Sequence, residues 1–426
     1  MGTCCYSLAN SCCNERLDGT TDGSSSVCGS SQKEMTEIMS EDAVSVLGRL
    51  VAIPSVNPAF RLPSDDVSRF GEFSVAQTVA EWLKMAGLQV SMEDVSPRRP
   101  NVVAHLRGRN ASRRQLWEGH LDTVQVTGMT IEPFSPLVRE GRLYGRGAVD
   151  DKGCLAAFML ALRELARDPD GLDITFVAAA DEEVHQTGVL HHLKQGRHYD
   201  GGIAGEPTEL RVVSASKGCV RWDIEIAGRP AHSSRPLDGV DAVAIGTELA
   251  LHLRRKFTPL LALRSHRLVG GATMVCTRID GGEGLNTVPA RCLLKFDRRT
   301  LPGESNAQAW EEVAAEVAAF ARTIPAGASI VTQPPFIDCP AMEAQEASGI
   351  VSAARAACRG EGLPDAVLGV PYGSDASRMA DFGIPTIIFG PGSIEQAHTA
   401  DEFVEIAQVE RAARILCEIA RRFATT

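Results

Sequence analysis

The sequence lacks any apolar run close to the roughly 18 residues that cross a bilayer. Its first residues also lack the basic start and apolar core of a signal peptide. There is no basic excess, since 43 Lys and Arg stand against 54 Asp and Glu and the net charge is -11. We therefore expect neither a membrane partner nor a nucleic-acid partner, because either would need a positive face. Small anionic substrates are compatible with this charge, since they need only one or two local arginines.

Cysteine is present, but the sequence shows no disulfide framework. Five of the 12 cysteines fall in the first 30 residues, and the other seven are scattered singly through mostly apolar surroundings. Isolated cysteines of this kind are typical of buried thiols in a reducing compartment. We therefore expect a cytoplasmic protein. The paired cysteines near the start could also bind metal or carry palmitate.

A chain of 426 residues exceeds the usual size of one core, and its periodicity divides it into four parts. Residues 1–40 are rich in Ser, Gly, Thr and Cys and are predicted to be a disordered tail. Residues 41–215 alternate helical spacings with short apolar runs, which predicts an α/β domain with a mostly parallel, helix-covered sheet. Residues 216–335, with a helix at 238–255, predict the β-α-β-β-α-β order of a ferredoxin-like α+β domain. Residues 336–426 return to helices and a core strand, so the α/β domain is predicted to be discontinuous.

The first candidate metal ligand follows the predicted strand at residues 115–118. His120 and Asp122 are two positions apart, so their side chains point the same way in an extended chain. A histidine nitrogen can bind a metal ion while a nearby carboxylate orients the ring. A histidine that is satisfied within the strand end is the alternative.

An acidic pair, Asp150 and Asp151, follows a glycine-rich turn and precedes a predicted helix. N-capping of that helix explains the pair as well as a metal role does. No Gly-Lys-Ser/Thr follows the glycines, so they do not predict nucleotide binding.

Further carboxylates and a second histidine follow later predicted strands of the same sheet. These residues are Asp181, Glu182, Glu183, Glu206 and His398. Side chains at strand ends face the crevice where α/β proteins bind ligands, and adjacent carboxylates repel unless a cation lies between them. A solvated acidic turn is the alternative for the first three. Mixed histidine and carboxylate ligands suit Zn²⁺, with Co²⁺ or Mn²⁺ as substitutes.

Five motifs occur in order along the chain: Gly-His-x-Asp, Gly-x-x-Asp-x-Lys-Gly, Asp-Glu-Glu, Gly-Glu-Pro and Ala-His-Thr-x-Asp-Glu. Between residues 41 and 423 the sequence therefore resembles the family of aminoacylases, acetylornithine deacetylases, succinyl-diaminopimelate desuccinylases and carboxypeptidase G. These proteins are di-zinc metallopeptidases and amidohydrolases. The resemblance implies a zinc-exopeptidase-like catalytic domain, an inserted lid and dimerisation domain, and a homodimer.

The resemblance also implies a centre of two divalent metal ions, Zn²⁺ by preference. One metal would be held by His120, Asp150 and Glu206. The other would be held by Asp150, Glu183 and His398, so that Asp150 bridges the two. The peptide bond after Asp150 is often cis in the family.

Three further residues have catalytic roles that the resemblance implies. Asp122 would orient His120, and Glu182 would be the general base that passes a proton from water to the leaving amine. His232, in the segment Arg-Pro-Ala-His-Ser, would stabilise the oxyanion, often across the dimer interface.

Substrate-binding positions are implied at four residues, which are Asn286, Arg299, Gly373 and Ser374. Arg299 is preferred over Arg298 as a clamp on the substrate carboxylate, since a guanidinium binds a carboxylate bidentately. Either arginine could instead be a solvated charge at the edge of the sheet.

The implied reaction is hydrolysis of an N-acyl amino acid with a free carboxylate by attack of a metal-bound hydroxide. Acetylornithine deacetylase or succinyl-diaminopimelate desuccinylase activity is the first prediction, and a dipeptidase or carboxypeptidase is the alternative. A non-catalytic relative that binds metabolites is a remote alternative, because the five ligands and the base are all present.

Overall fold

The computed structural model describes residue 38 and residues 40–426, so the predicted tail lies almost entirely outside the described residues. Ile38 is buried, and its carbonyl oxygen accepts a hydrogen bond from Arg163. Within residues 40–426, no helix is long and apolar enough to span a membrane.

The chain up to residue 216 contains both helices and strands, as its periodicity predicts, but five strands follow one another between the second and third helices. Its elements are α1 (Ala43–Val51), α2 (Phe73–Met85), β1 (Gln89–Ser96), β2 (Arg99–Arg107), β3 (Arg114–His120), β4 (Leu137–Arg139), β5 (Arg142–Tyr144), α3 (Lys152–Leu165), β6 (Asp173–Ala179), α4 (Thr187–Leu193), β7 (Gly201–Ala204) and β8 (Val213–Ser216).

The next segment contains β9 (Gly218–Ala227), α5 (Ala242–Ala262), β10 (Ser265–His266), β11 (Gly270–Gly271), β12 (Thr273–Gly281), β13 (Arg291–Thr300), α6 (Asn306–Phe320), β14 (Ser329–Thr332) and β15 (Ile337–Cys339). The C-terminal segment contains β16 (Met342–Glu343), α7 (Gly349–Gly360), β17 (Leu368–Val370), α8 (Asp375–Asp381), β18 (Thr386–Ile388), β19 (Phe403–Glu405) and α9 (Ile406–Thr425).

The large sheet runs in the order β1-β2-β6-β3-β7-β18-β8-β16, with β17 also paired to β8. Its centre, β6-β3-β7-β18, is parallel, whereas the outer strands β1, β2 and β16 pair antiparallel. Parallel neighbours end at the same edge of a sheet, so the segments that follow these four strands meet there. The mostly parallel, helix-covered sheet is confirmed, and its central strands bring the candidate ligands together.

Helices cover both faces of this sheet because their apolar residues recur at helical spacing. In α9, Val409, Leu416, Ile419 and Phe423 are fully buried, and the helix packs on α3 and α7. Nearly every residue of α3 is buried as well, since it lies between the sheet and the outer helices.

The inserted segment has its own antiparallel sheet in the order β12-β13-β9-β14, with β15 also paired to β9. Apart from the short strands β10, β11 and β15, its element order matches the predicted β-α-β-β-α-β order, and residues such as Leu249, Phe257 and Leu294 form a separate core. The predicted helix at 238–255 was misplaced, because Pro236–Asp238 forms a 3-10 turn and Asp241 caps a helix that continues to residue 262. The domain limits at residues 216 and 335 stay predictions.

Candidate metal centre

His120 lies at the end of β3, and its ring is fixed on both sides. Its Nδ1 is 3.0 Å from the backbone carbonyl oxygen of Asp122, and its Nε2 is 2.9 Å from Asp150 Oδ1. The Asp122 carboxylate is farther from Nδ1, at 3.7 Å. The histidine is therefore oriented towards Asp150 by the backbone of Asp122 more closely than by its carboxylate.

Asp150 lies between the two predicted histidine ligands. Its Oδ1 faces His120, and its Oδ2 is 3.2 Å from His398 Nε2. Burial raises the pKa of Asp150, but hydrogen bonds with His120 and His398 outweigh this effect and lower the pKa well below its usual range. A carboxylate that stays ionised with one oxygen towards each histidine has the geometry expected of a bridging ligand.

Glu183 completes the second predicted set of ligands. Its Oε1 is buried without a hydrogen bond and lies 3.4 Å from His398 Nε2. Burial and the neighbouring Asp150 raise the pKa of Glu183 to about 7. The neighbouring carboxylates of Asp150 and Glu183 raise the pKa of His398 to about 10.

Two groups of side chains bring potential ligand atoms within 4.8 Å of one another. They are His120 with Asp150 and Glu183, and His120 with Glu182 and Glu206. The second group includes the predicted general base, Glu182, beside the predicted ligand Glu206. Burial followed by neighbouring carboxylates raises the pKa of Glu206 well above its usual value, which a cation between these groups would reverse.

Two glycines make room for a carboxylate behind His120. A Cβ atom on Gly119 would lie 2.9 Å from Asp151 Oδ2, and one on Gly205 would lie 3.0 Å from the same atom. This Oδ2 accepts a hydrogen bond from the His120 backbone N–H, and Oδ1 is buried without a partner. Asp151 occupies the N-cap position of α3, but its side chain makes no capping hydrogen bond, so capping does not account for its carboxylate.

The described residues fit a pair of divalent metal ions. Eight carboxyl groups converge near two histidines, and several of their oxygens have no hydrogen-bond partner. Six of them belong to buried residues, whereas Glu182 and Glu183 are half-buried. The eight residues are Glu118, Asp122, Asp150, Asp151, Glu182, Glu183, Glu206 and Asp375. So many buried carboxylates are costly without a compensating cation, and neither a solvated turn nor a satisfied strand-end histidine explains them.

Sequence reasoning missed Asn57, which lies behind the site. Its amide donates to Asp122 Oδ2 at 2.7 Å and to Asp181 Oδ1 at 2.9 Å. Asp122 in turn accepts hydrogen bonds from the backbone N–H groups of Glu182 and Glu183. Asp122 therefore also positions the loop that carries the predicted base. The Asn57-Pro58 pair was the available signal, since an asparagine before a proline favours a turn and can bond to the backbone.

A buried ion pair, also missed, holds the segment around Asp150. Arg146 Nη1 is 2.5 Å from Glu402 Oε2, and Glu402 Oε1 accepts from the backbone N–H groups of Val149 and Asp150. Glu402 belongs to the last of the five motifs, so the sequence pointed to this residue but not to its ion pair with Arg146. The peptide bond between Asp150 and Asp151 is cis.

The predicted substrate-binding residues fall into two groups. Arg299 and Gly373 line a cleft of about 820 Å³ that also exposes Glu182, Glu183 and His398. Ser374 is buried beside it, with an Oγ that has no hydrogen-bond partner. Arg298, the rejected candidate, is fully buried in the inserted segment.

His232 and Asn286 are not in this cleft. Both residues are exposed. They lie close together because His232 forms an isolated antiparallel β-bridge with Thr287 and because the Ser233 N–H donates to the Asn286 carbonyl oxygen. His232 Nδ1 is 2.7 Å from Ser234 Oγ. Their predicted roles at the oxyanion and the substrate stay predictions.

Comparison with known proteins adds three findings. The profile of Peptidase family M20/M25/M40 matches residues 116–422. Acetylornithine deacetylase of Buchnera aphidicola subsp. Schizaphis graminum is 29% identical over 318 residues, which cover 72% of this chain and 80% of that protein. Two solved structures share the fold: a tripeptidase of Staphylococcus aureus, at 22% identity and a TM-score of 0.73, and a dinuclear metal-binding peptidase of Bacillus subtilis, at 16% and 0.66. The tripeptidase match covers 90% of this chain, and the Bacillus subtilis match covers 91%. Each match covers 98% of the other protein's chain.

Proposed function

Because this chain belongs to Peptidase family M20/M25/M40 and is therefore a hydrolase of amide bonds, we propose that it removes the acyl group from N-acyl amino acids. The products would be a carboxylic acid and a free amino acid. The similarity to acetylornithine deacetylases supports deacylation as the first choice.

One observation carries this proposal. Asp150 offers one oxygen to each of two histidines, and one of these, His398, lines the cleft together with Glu182 and Glu183. Two divalent metal ions at such a site supply Lewis-acid activation of the scissile carbonyl group and of water. The proposed ligands are those of the sequence prediction, and their nitrogen and oxygen donors suit Zn²⁺.

Glu182 is proposed as the general base because it lies in the same cleft, next to the ligand groups. Burial raises its pKa well above the usual value, and the nearby carboxylates add to this. A carboxylate of raised pKa can take a proton from the attacking water and donate it to the nitrogen of the departing amine. Arg299, which lines the cleft wall, would bind the carboxylate of the released amino acid.

The test is hydrolysis of N-acetyl, N-succinyl and N-formyl amino acids by the purified protein, with Zn²⁺ or Co²⁺ added after chelation. We expect metal-dependent turnover that falls roughly 10²- to 10⁴-fold in Glu182→Gln, since general acid–base catalysis contributes that much. Glu209→Gln, the same change at an exposed residue that does not line the cleft, is the matched control. Full activity in Glu182→Gln would rule out this residue as the base.

Dipeptide hydrolysis is the second candidate function. The cleft of about 820 Å³ is large for an acetyl group, and Phe60 and Phe336 add apolar surface to its wall. A panel of dipeptides in the same assay decides between the two. Faster turnover of dipeptides than of every N-acyl amino acid would make the protein a peptidase.

The finer parts of the proposal are zinc as the native metal, a cytoplasmic location and a homodimer.

A dimer is supported by the exposed positions of His232 and Asn286, which a partner subunit could receive into its own cleft. The dimer predicts twice the mass of the chain in light scattering. It also predicts that mixing His232→Ala with Glu182→Gln, each inactive alone, restores part of the activity. A monomeric active enzyme would contradict it.

A further inference from the structure

Arg378 lies on α8 in the wall of the cleft, beyond the Gly373 segment. No motif pointed to it. Its Nε donates to Gln186 Oε1 at 2.8 Å, and its Nη2 donates to the backbone carbonyl oxygen of Asp338. Both acceptors are uncharged, so they orient the guanidinium group without neutralising it.

The other arginines of the cleft wall differ in this respect. Arg221 Nε is 2.7 Å from Asp297 Oδ2, and Arg299 Nε is 2.8 Å from Asp297 Oδ1. Among residues 40–426, no carboxylate oxygen lies within 4.0 Å of the Arg378 guanidinium, and its Nη1 makes no hydrogen bond. Arg378 is therefore the cleft arginine that carries an oriented but uncompensated charge.

The carboxylates nearest to this part of the wall have partners of their own. Asp297 accepts from Arg221 and Arg299, and the Oδ1 of the exposed Asp338 accepts a hydrogen bond from Asn306. Neither carboxylate forms an ion pair with the Arg378 guanidinium group. An oriented guanidinium binds a carboxylate through charge-assisted hydrogen bonds, which are about twice as strong as neutral ones.

We propose that Arg378 binds a second carboxylate of the substrate, so that the preferred substrate is a dicarboxylate. This inference rests on the proposed function, in which Arg299 takes the carboxylate of the released amino acid. The second carboxylate belongs either to the acyl group, as in an N-succinyl amino acid, or to the amino-acid side chain, as in N-acetylglutamate. A cationic side chain such as that of ornithine is disfavoured beside Arg378.

A different role for Arg378 has to be separated from this one. Gln186, which accepts from Arg378, also lies 3.4 Å from Glu182 Oε1 through its Nε2. Arg378 could thus act on the base through Gln186 and touch no substrate. That role would change turnover of every substrate alike, whereas a carboxylate subsite changes the binding of dicarboxylates selectively.

The experiment compares N-succinylleucine, N-acetylglutamate, N-acetylleucine and N-acetylornithine in the metal-loaded full chain. We expect one of the two dicarboxylates to have the highest kcat/KM. In Arg378→Met the ratio of its kcat/KM to that of N-acetylleucine should fall about 30-fold, mainly through KM, since one charge-assisted contact is lost. Arg378→Lys should keep part of the ratio because it keeps the charge.

Arg221→Met is the matched control, since it removes the same charge from the same wall. Its ratio should change by less than about threefold, because a charge already paired with Asp297 acts weakly at a distance. An equal loss on all four substrates in Arg378→Met, or an unchanged ratio, would overturn the inference. If Arg378→Met does not fold, the Lys variant decides. Competitive inhibition by glutarate is compared with inhibition by acetate in this variant and in the wild type. A weaker preference for glutarate over acetate than in the wild type supports the subsite, and an equal preference refutes it.

The two proposals fail differently. A wild-type enzyme that hydrolyses N-acetylleucine but gains nothing from a second carboxylate contradicts the role of Arg378 alone. A metal-loaded wild-type protein that hydrolyses none of the four substrates contradicts the proposed function itself.

Discussion

At the scale of single residues, the candidate centre depends on side chains that never contact a substrate. Asn57 is fully buried and supplies hydrogen bonds to two carboxylates, those of Asp122 and Asp181. Arg99 supports the same region through Asp181, at 3.1 Å, and through the buried Glu72. Residues of this kind orient metal ligands and the base, and their loss typically costs 10- to 100-fold in metal affinity or activity.

The first prediction concerns Asn57→Ala. Without the amide, Asp122 and Asp181 lose a shared donor, so the loop that carries Glu182 and Glu183 should lose its fixed position. We expect kcat/KM to fall about 10- to 100-fold, with metal content measured in parallel by elemental analysis. The exposed Asn110→Ala serves as the control, and equal activity of the two variants would contradict the positioning role.

A second residue-scale prediction concerns pH and His105. Burial lowers the pKa of His105 below 6.5, and the charge of Arg197 adds to this effect, so the folded state favours the neutral ring. Its Nε2 is 3.3 Å from Arg197 Nη1, a contact that protonation would break. The unfolded state therefore binds a proton first as the pH falls through 6.5, and stability is lost from there downwards.

Urea unfolding of the wild type and of His105→Gln at several values between pH 5 and pH 7.5 checks this linkage. The wild type should lose more free energy of unfolding than the variant as the pH falls below 6.5. Parallel curves for the two proteins would show that His105 does not titrate differently on folding.

At the scale of elements, the segment after β18 holds the segment before α3 in place. Glu402 joins Arg146 to the backbone of Val149 and Asp150, and all of these groups are buried. Removal of one member of a buried ion pair leaves an uncompensated charge, which costs about 3–5 kcal/mol. The pair therefore links two segments that are 256 residues apart in the chain, next to the candidate ligand Asp150.

Glu402→Ala is predicted to lower the free energy of unfolding by about 3–5 kcal/mol in denaturant titration. Combining it with Arg146→Met should recover part of that loss, since no charge is then left buried alone. A double variant that is as unstable as the sum of the single changes would show that the two side chains act independently.

At the scale of the whole molecule, the crowded carboxylates should couple metal binding to stability. Eight carboxyl groups, six of them in buried residues, lie near the centre, so a divalent cation that binds only the folded protein favours folding. We expect chelation to lower the melting temperature and added Zn²⁺ to raise it. At a free metal concentration of 100 times Kd the gain is about 2.7 kcal/mol for a single site.

Calorimetry of the chelated protein with and without Zn²⁺ measures this gain, and Ca²⁺ serves as the control ion because it favours more oxygen ligands. An unchanged melting temperature with Zn²⁺ would mean that the carboxylates do not hold a metal in the folded protein.

Much of the fold and of the candidate centre could be predicted from the sequence, because local patterns encode them. Strand-end positions predicted that His120, Glu183 and His398 lie near one another, since the carboxyl ends of parallel strands share one edge, whereas the position of Asp150 between the histidines was implied by the family resemblance. Helical and alternating spacings predicted the α/β sheet and the β-α-β-β-α-β order, although the start of α5 was misplaced.

Only the tertiary structure decided which side chains meet across long separations in the chain. Asn57 contacts Asp181, Arg146 contacts Glu402 and Arg378 contacts Gln186, at separations of 124, 256 and 192 residues. It likewise separated Arg299, in the cleft, from its buried neighbour Arg298. The physical reason is that periodicity and motifs describe neighbours along one element, whereas these contacts depend on how the loops of different elements pack.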